Sequence, residues 1–223
     1  MRRLSVPLVV IAPMLVSCTG AGPEAVLTVA ATPEPPASTM PVPAFVAPEY
    51  SGPRLPGRWG VYVDAANAPT SFPTNGGAGS GARAGGVDCV GMTYDIPAGS
   101  IIRDTMIETS NNAFDTARAL SSPPRNGNIG GLTWALSIRV TRTEGSFVRD
   151  ETTAGPVARA DLNAEITVLD KRGEVVRTMT ESAAAMSDAG SGGCNAGAAL
   201  LTLAYQRASL ALMNEVIPEL GTN

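Results

Sequence analysis

Histidine is absent from this chain of 223 residues, and lysine occurs once, at position 171. Without histidine the chain has no Ser-His-Asp triad, no histidine to activate a cysteine and no histidine-ligated zinc site. A Ser-Lys pair would have to use Lys171, which lies in an apparent hairpin turn. Asp64, Asp88 and Asp95 lie at strand ends, where charged residues are ordinary, so they do not indicate a glycosidase carboxylate pair. We therefore expect no enzymatic activity, no metal and no cofactor.

Aromatic residues are also scarce, at 4% of the chain, so a core has to be built mainly from Val, Leu, Ile and Ala. The 16 basic residues are outnumbered by 20 acidic ones, which gives a net charge of −4. Nucleic-acid binding requires Lys and Arg clustered on one face, and a grip on anionic lipid requires a polybasic segment. The charge balance argues against both partners.

The first 17 residues have the parts of an export signal. Arg2 and Arg3 form a positive start, and residues 4–16 form a mostly apolar stretch of 13 residues, whereas a membrane span needs about 20. The stretch ends in Leu15-Val16-Ser17-Cys18, which resembles the lipobox of the bacterial lipoprotein signal peptidase. That resemblance implies cleavage before Cys18, lipidation of Cys18 and anchoring in the lipid bilayer. The alternative is an ordinary signal peptide that happens to contain a cysteine.

Residues 18–57 differ in composition from the rest of the mature chain. They are rich in Pro and Ala and poor in charge, and proline favours polyproline II, so we predict a disordered, semi-rigid spacer. Residues 58–223 then suit one domain with a single core. Removal of residues 1–17 takes away two basic residues and no acidic one, so the net charge falls from −4 to −6. Thr19, and not aspartate, follows Cys18, and by resemblance to the known sorting rule this favours the outer membrane, with the domain in the periplasm.

Two further cysteines, Cys89 and Cys194, lie in the predicted domain. An even pair in an oxidising compartment predicts a disulfide. In the chain-entropy model, closing a loop of about 100 residues stabilises a domain by up to roughly 4–5 kcal/mol. Two buried free thiols are the alternative.

Hydrophobic periodicity predicts the secondary structure. We predict strands at residues 58–64, 87–96, 113–120, 132–141, 158–168 and 174–180. Ser100 is expected to cap a helix that ends near Asn112. The longest helix is predicted from Cys194 to about Val216, with Pro218 just past its end. The glycine-rich loop at 75–86 lacks the Gly-Lys-Ser/Thr sequence of a phosphate-binding loop.

This order of elements predicts the α+β class: a single two-layer domain with a mainly antiparallel sheet covered by two helices. The lipobox, the spacer, the strands between 132 and 180 and the closing helix resemble those of small periplasmic lipoproteins of Gram-negative bacteria. Similar in architecture are the lipoprotein that plugs the lipopolysaccharide export barrel and the auxiliary lipoproteins of envelope transporters. The resemblance is architectural and transfers no binding residue.

The closing helix has two apolar stripes, where packing on one sheet needs a single face about 100° wide. The first stripe consists of Leu200, Leu203, Leu210 and Ile217, and the second of Leu201, Tyr205, Leu212 and Val216. A helix sunk deep in the core would bury both stripes. Otherwise the first stripe is a candidate interface for an envelope protein or a second copy of the chain.

We therefore expect a non-enzymatic envelope protein that acts through protein contacts, at the closing helix or at an open sheet edge. The alternative is a small-molecule or glycan binder, for which Trp59 and Trp134 are the only large stacking platforms. A binder should show a concave pocket with convergent polar groups. An adaptor or assembly factor should show an exposed apolar stripe or edge strand.

The lipid anchor is directly testable. Replacing Cys18 with alanine removes the thiol that would carry the lipid, so we expect Cys18→Ala to abolish incorporation of labelled fatty acid and to block normal processing. The measurement is metabolic labelling with gel analysis. Undiminished labelling of the variant would show that Cys18 is not the anchor.

Overall fold

The computed structural model describes residues 50–74, 83–84, 87–88, 91–125, 129–149, 156–188 and 193–221. All of them belong to one compact unit, Ser38–Asn223. The predicted signal peptide, Cys18, most of the predicted spacer and Cys89 lie outside the described residues.

Nine strands, two α-helices and a 3-10 helix are assigned within these ranges. The strands are β1 (Leu55–Asp64), β2 (Ser71–Pro73), β3 (Arg83–Ala84), β4 (Val87–Asp88), β5 (Thr93–Asp95), β6 (Phe114–Ala119), β7 (Trp134–Arg149), β8 (Pro156–Asp170) and β9 (Val175–Met186). The helices are α1 (Ala98–Ala113), the 3-10 helix Gly193–Ala196 and α2 (Gly197–Leu220). The α+β class and the longest helix at the C-terminal end are confirmed.

The main sheet has five strands in the order β6-β1-β7-β8-β9. β1 pairs in parallel with both β6 and β7, whereas β8 is antiparallel to β7 and to β9. The sheet is therefore mixed, and the prediction of a mainly antiparallel sheet is wrong. The reason is the connection through α1: parallel neighbours need a crossover, and α1 supplies it between β1 and β6.

β7 and β9 are longer than predicted. In β7 the pairing register shifts between Val140 and Arg142, and such a bulge interrupts the alternation that marks the first half of the strand. β9 continues past Thr180 to Met186 through small residues, which are weak strand formers.

The predicted strand at 87–96 is two separate pieces, because β4 pairs with β3 and β5 pairs with β2. Ser100 does not cap α1, since the helix already begins at Ala98, follows Pro97 and has no side-chain cap. Pro218 lies inside α2 and not beyond it. A proline is tolerated there because the carbonyl that it leaves without a donor belongs to Asn214, which is exposed to water.

Both helices cover one face of the sheet, as predicted. α1 packs on β1 and β6, α2 packs on β8 and β9, and the two helices contact each other. The core between the layers is continuous from Trp59 on β1 to Ile217 on α2. A smaller apolar cluster around Ala135 and Leu169 is separate from this core.

Tyr205 is the largest fully buried side chain of this core. Its ring lies 5.8 Å from that of Phe72, and its hydroxyl is 3.2 Å from the hydroxyl of Thr143. Burial, more than any other effect, raises the pKa of Tyr205 to about 12, against an ordinary value of 10.0.

This pKa predicts alkaline sensitivity. A raised pKa in the folded state means that the contribution of Tyr205 to stability is complete below pH 10 and is lost as the pH rises towards 12. Over that interval we expect the parent chain to lose up to about 1.4 kcal/mol more per pH unit than Tyr205→Phe. Urea unfolding at a series of pH values measures the difference. Parallel pH profiles for the two proteins would contradict the prediction.

Candidate interaction surface

β9 is the last strand of the sheet, and in the described part of the chain it pairs with β8 alone. The direction of its backbone groups can be read from the bond that the Ser187 N–H donates to the Ala158 carbonyl, 2.8 Å away. Because antiparallel pairs alternate, the backbone groups of odd-numbered residues point at β8 and those of even-numbered residues point away. The register of β9 against β8 shifts at Val176, so this alternation holds after the bulge, and the strand presents a row of outward donors and acceptors from Thr178 to Met186.

Exposed large apolar side chains are concentrated on the same strand. Among the described residues four such side chains are exposed, and three of them belong to β9: Val175 at 53%, Val176 at 51% and Met186 at 49%. The fourth is Met92, at 36%. We call the outward side of β9, together with these three side chains, the β9 edge.

Two arginines hold β9 against α2. Arg177 donates a hydrogen bond to the backbone carbonyl of Glu219 and lies 3.8 Å from the Glu219 carboxylate. At the other end, Arg207 donates to the Met186 carbonyl at 3.0 Å and pairs with Asp188 at 2.6 Å. The hydrogen bond from Arg207 lowers the pKa of Asp188 below its ordinary value. Since Arg207 occupies the last outward carbonyl, the open part of the β9 edge is the middle of the strand.

A cleft of about 190 Å³ lies beside the start of β9, between the end of the sheet and the end of α2. Its lining consists of Leu55, Pro56, Trp59, Trp134, Val168, Val176, Arg177, Leu220 and Gly221. Trp59 is 4% exposed, and it stacks on Phe114 and Trp134 with ring centroids 4.4 and 5.8 Å away. Trp59 therefore offers no free face to a sugar, and the cleft is smaller than most ligand pockets.

The face of the sheet opposite the helices carries charged side chains in matched pairs. The pairs are Arg139 with Glu165 at 3.8 Å, Arg159 with Asp161 at 2.7 Å, and Arg142 with Glu144. Hydrogen bonds from Arg159 lower the pKa of Asp161. Exposed pairs of this kind stabilise a fold very little. Because the charges within each pair balance, these three pairs give the face no net charge.

The predicted helix interface is only partly accessible. Leu200 is 7% exposed and Ile217 is fully buried, so the expectation that the whole first stripe is left for a partner is wrong. Leu203 and Leu210 are half-buried. They lie four residues before and three residues after Arg207, and so share its side of α2. The second stripe, from Leu201 to Val216, is fully buried.

Three other residues named in the sequence analysis make local contacts or lie in turns. Cys194 lies in the 3-10 helix, and its carbonyl accepts a hydrogen bond of 2.7 Å from the Tyr94 hydroxyl. The disulfide with Cys89 stays a prediction. Asp64 accepts a bond of 3.2 Å from the Ala66 N–H in a turn. Lys171 is exposed in the predicted hairpin turn, where Gly173 has a φ of 75°.

Metal sites and membrane-spanning helices are both missing from the described residues. Among them, no group of three or more His, Cys, Asp or Glu residues is arranged to hold a metal ion. No helix in this part of the chain is both long and apolar enough to cross a membrane.

No protein-family model matches the chain, and no curated protein matches it. A DUF330-family protein from Xanthomonas campestris is 13% identical, with 79% of this chain and 90% of that chain covered and a TM-score of 0.47. A putative lipoprotein from Caulobacter crescentus is 17% identical over 58% and 84%, with a TM-score of 0.38. A minor lipoprotein from Acinetobacter baumannii is 9% identical over 73% and 93%, with a TM-score of 0.33. At TM-scores below 0.5, none of these likenesses assigns a family or an activity to this chain.

The difference in burial along α2 predicts different outcomes for two substitutions. Leu212 is fully buried and Leu203 is half-buried. We expect Leu212→Glu to prevent folding, since it buries an unpaired carboxylate. Leu203→Glu should leave a folded domain with a loss of at most about 1–2 kcal/mol. Circular dichroism and thermal unfolding distinguish the two outcomes. If both variants unfold, Leu203 belongs to the core and cannot contact a partner.

Proposed function

We propose that this chain is a lipoprotein of the bacterial cell envelope, anchored through Cys18 in the outer membrane. Its periplasmic domain is non-enzymatic and acts through protein contacts at the β9 edge, as an adaptor or assembly factor. The observation that supports this best is the concentration of exposed large apolar side chains on one edge strand, Val175, Val176 and Met186.

An edge strand that remains uncovered is a hazard, because any other chain can pair with it. Proteins usually shorten such strands, charge them or cover them. β9 has 12 residues and carries two charges, Arg177 and Glu181. An extended segment of a partner protein can add to this edge as a further strand, with main-chain bonds for affinity and alternate side chains for specificity. The apolar cleft beside Val176 can receive one of those side chains.

The lipid anchor is inferred from the sequence Leu15-Val16-Ser17-Cys18, and the outer membrane from Thr19. The proposal includes the disulfide between Cys89 and Cys194. Asp88, at the end of β4, directly precedes Cys89, and β4 contacts the 3-10 helix that holds Cys194. This contact supports the proposed pairing, and the disulfide would tie the start of α2 to the chain before β5.

Site-specific photo-crosslinking in intact cells tests the proposed contact. A photoreactive side chain at Ser182, in the open part of the β9 edge, should capture a protein when it is placed in the full lipidated chain. The same side chain at Glu165 is the matched control, because Glu165 is exposed on β8, an interior strand. Equal capture at both positions, or no capture at Ser182, would contradict the proposal.

Proline substitution separates contact from fold. The N–H of Thr180 points away from β8, so Thr180→Pro removes no ladder bond and should abolish capture at Ser182 while the domain stays folded. The N–H of Glu181 points at β8, so the control Glu181→Pro removes a ladder bond and should lower the free energy of unfolding by about 1–3 kcal/mol. Thr180→Lys is a second, milder block of the same edge. Capture that survives both Thr180 variants would contradict a role for the β9 edge.

A further inference from the structure

The sequence of β9 is self-complementary about Met179. We infer that the partner of the β9 edge is a second copy of this chain, bound by antiparallel β9–β9 pairing about a two-fold axis at Met179. This inference rests on the proposed function, because it uses the same edge. It names the occupant of that edge and the register in which the occupant binds.

The backbone restricts the register. From Thr178 to Met186 the even-numbered residues of β9 carry the outward N–H and C=O groups, so an antiparallel partner has to place even-numbered residues opposite even-numbered residues. A two-fold axis through Met179 does this. Thr178 then lies opposite Thr180 of the partner subunit, and the two residues exchange both of their outward hydrogen bonds. The two Met179 residues form a pair without mutual hydrogen bonds at the axis.

The charges of Arg177 and Glu181 favour one of the registers that the backbone allows. Arg177 and Glu181 lie two residues before and two residues after Met179, on the same face of β9. With the axis at Met179, Arg177 lies opposite Glu181 of the partner subunit. By symmetry, Glu181 lies opposite Arg177 of the partner subunit, so the interface contains two such ion pairs. In the described part of the chain the Glu181 carboxylate makes no hydrogen bond and no ion pair, although its side chain is half-buried. A second copy provides the cation that Glu181 lacks.

Neighbouring registers lose this match. An axis through Thr180 places Glu181 opposite Met179 of the partner subunit, which leaves the Glu181 carboxylate without a counterpart. An axis through Glu181 places two carboxylates opposite each other, and like charges in that position are destabilising. Only the axis at Met179 places Arg177 opposite Glu181 of the partner subunit.

The same symmetry also uses α2. This helix packs over β8 and β9, so a two-fold axis at β9 brings α2 beside α2 of the partner subunit on one face of a continuous sheet. Leu203 and Leu210, half-buried on the Arg207 side of α2, lie on the solvent side of the helix and become available to that contact. The interface is isologous and closed, so pairing ends at a dimer and does not extend into a fibre.

Cysteine crosslinking tests the register in the full lipidated chain, within its membrane and under mild oxidation. Met179→Cys should form a disulfide-linked dimer on a non-reducing gel, because the Cα atoms of such a pair are about 4.5 Å apart. The control Thr180→Cys should not. Its counterpart is displaced by two residues along the strand, which is beyond the roughly 7 Å limit for a disulfide. A dimer at position 180 and not at 179 would overturn the register, and none at either would overturn the dimer.

Charge exchange tests the ion pairs in the detergent-solubilised mature protein by sedimentation. Arg177→Glu and Glu181→Arg should each weaken self-association by about tenfold, since two attractive cross-strand pairs become two repulsive ones. A one-to-one mixture of these two variants should recover association, because every Glu then faces an Arg. The double variant should recover it as well. Circular dichroism checks the fold of each variant, since Arg177 also contacts α2.

The outcomes for the dimer and for the proposed function are distinguishable. Failure of the mixture to recover association, with the single variants folded, would overturn the dimer. If a different protein is captured at Ser182 while Met179→Cys stays monomeric, the β9 edge is a contact surface but its occupant is not a second copy. If Ser182 captures nothing and Met179→Cys forms no dimer, both proposals fail.

Discussion

The packing of α2 across β8 and β9 is the contact on which the rest of this domain depends. β9 has no fully buried side chain of its own, since every residue of the strand is exposed or half-buried. It is held by its ladder with β8 and by α2, whose Leu201, Tyr205 and Leu212 are fully buried. Burial of each such side chain contributes about 1.5–3 kcal/mol, whereas exposed ion pairs contribute little. Hydrophobic burial therefore keeps α2 in place, and Arg177 and Arg207 align β9 beneath it.

Alternation of side chains predicts strands well where one face is buried and the pairing is regular. It identified the first half of β7 and most of β8, and it failed in β7 where the bulge after Val140 moves the later side chains to the other face. It could not reveal that β1 is parallel to β6 and β7. That property belongs to the connections through α1 and through residues 120–133, and it leaves no local periodicity.

The candidate surface was harder to predict than the fold. The two stripes of α2 look alike in sequence, yet Leu200 and Ile217 are buried while Leu203 and Leu210 are half-buried. That difference depends on where α1 and β9 flank the helix. The edge position of β9 is also a property of strand order. In the sequence, the start of β9 is marked by the consecutive valines 175 and 176, which break the alternation. The small residues after Glu181 made the predicted strand shorter than the observed one.

Hydrogen exchange of individual β9 amides tests most directly the claim that this edge is where the protein makes its contact. The measurement compares the full lipidated protein in membranes with the same protein diluted in detergent. The amides of Thr178, Thr180 and Ser182 point outward, and those of Met179 and Glu181 point at β8. We predict that the outward amides are protected in the membrane and exchange rapidly on dilution, while the inward amides stay protected in both. Outward amides that exchange rapidly in both states would contradict the account.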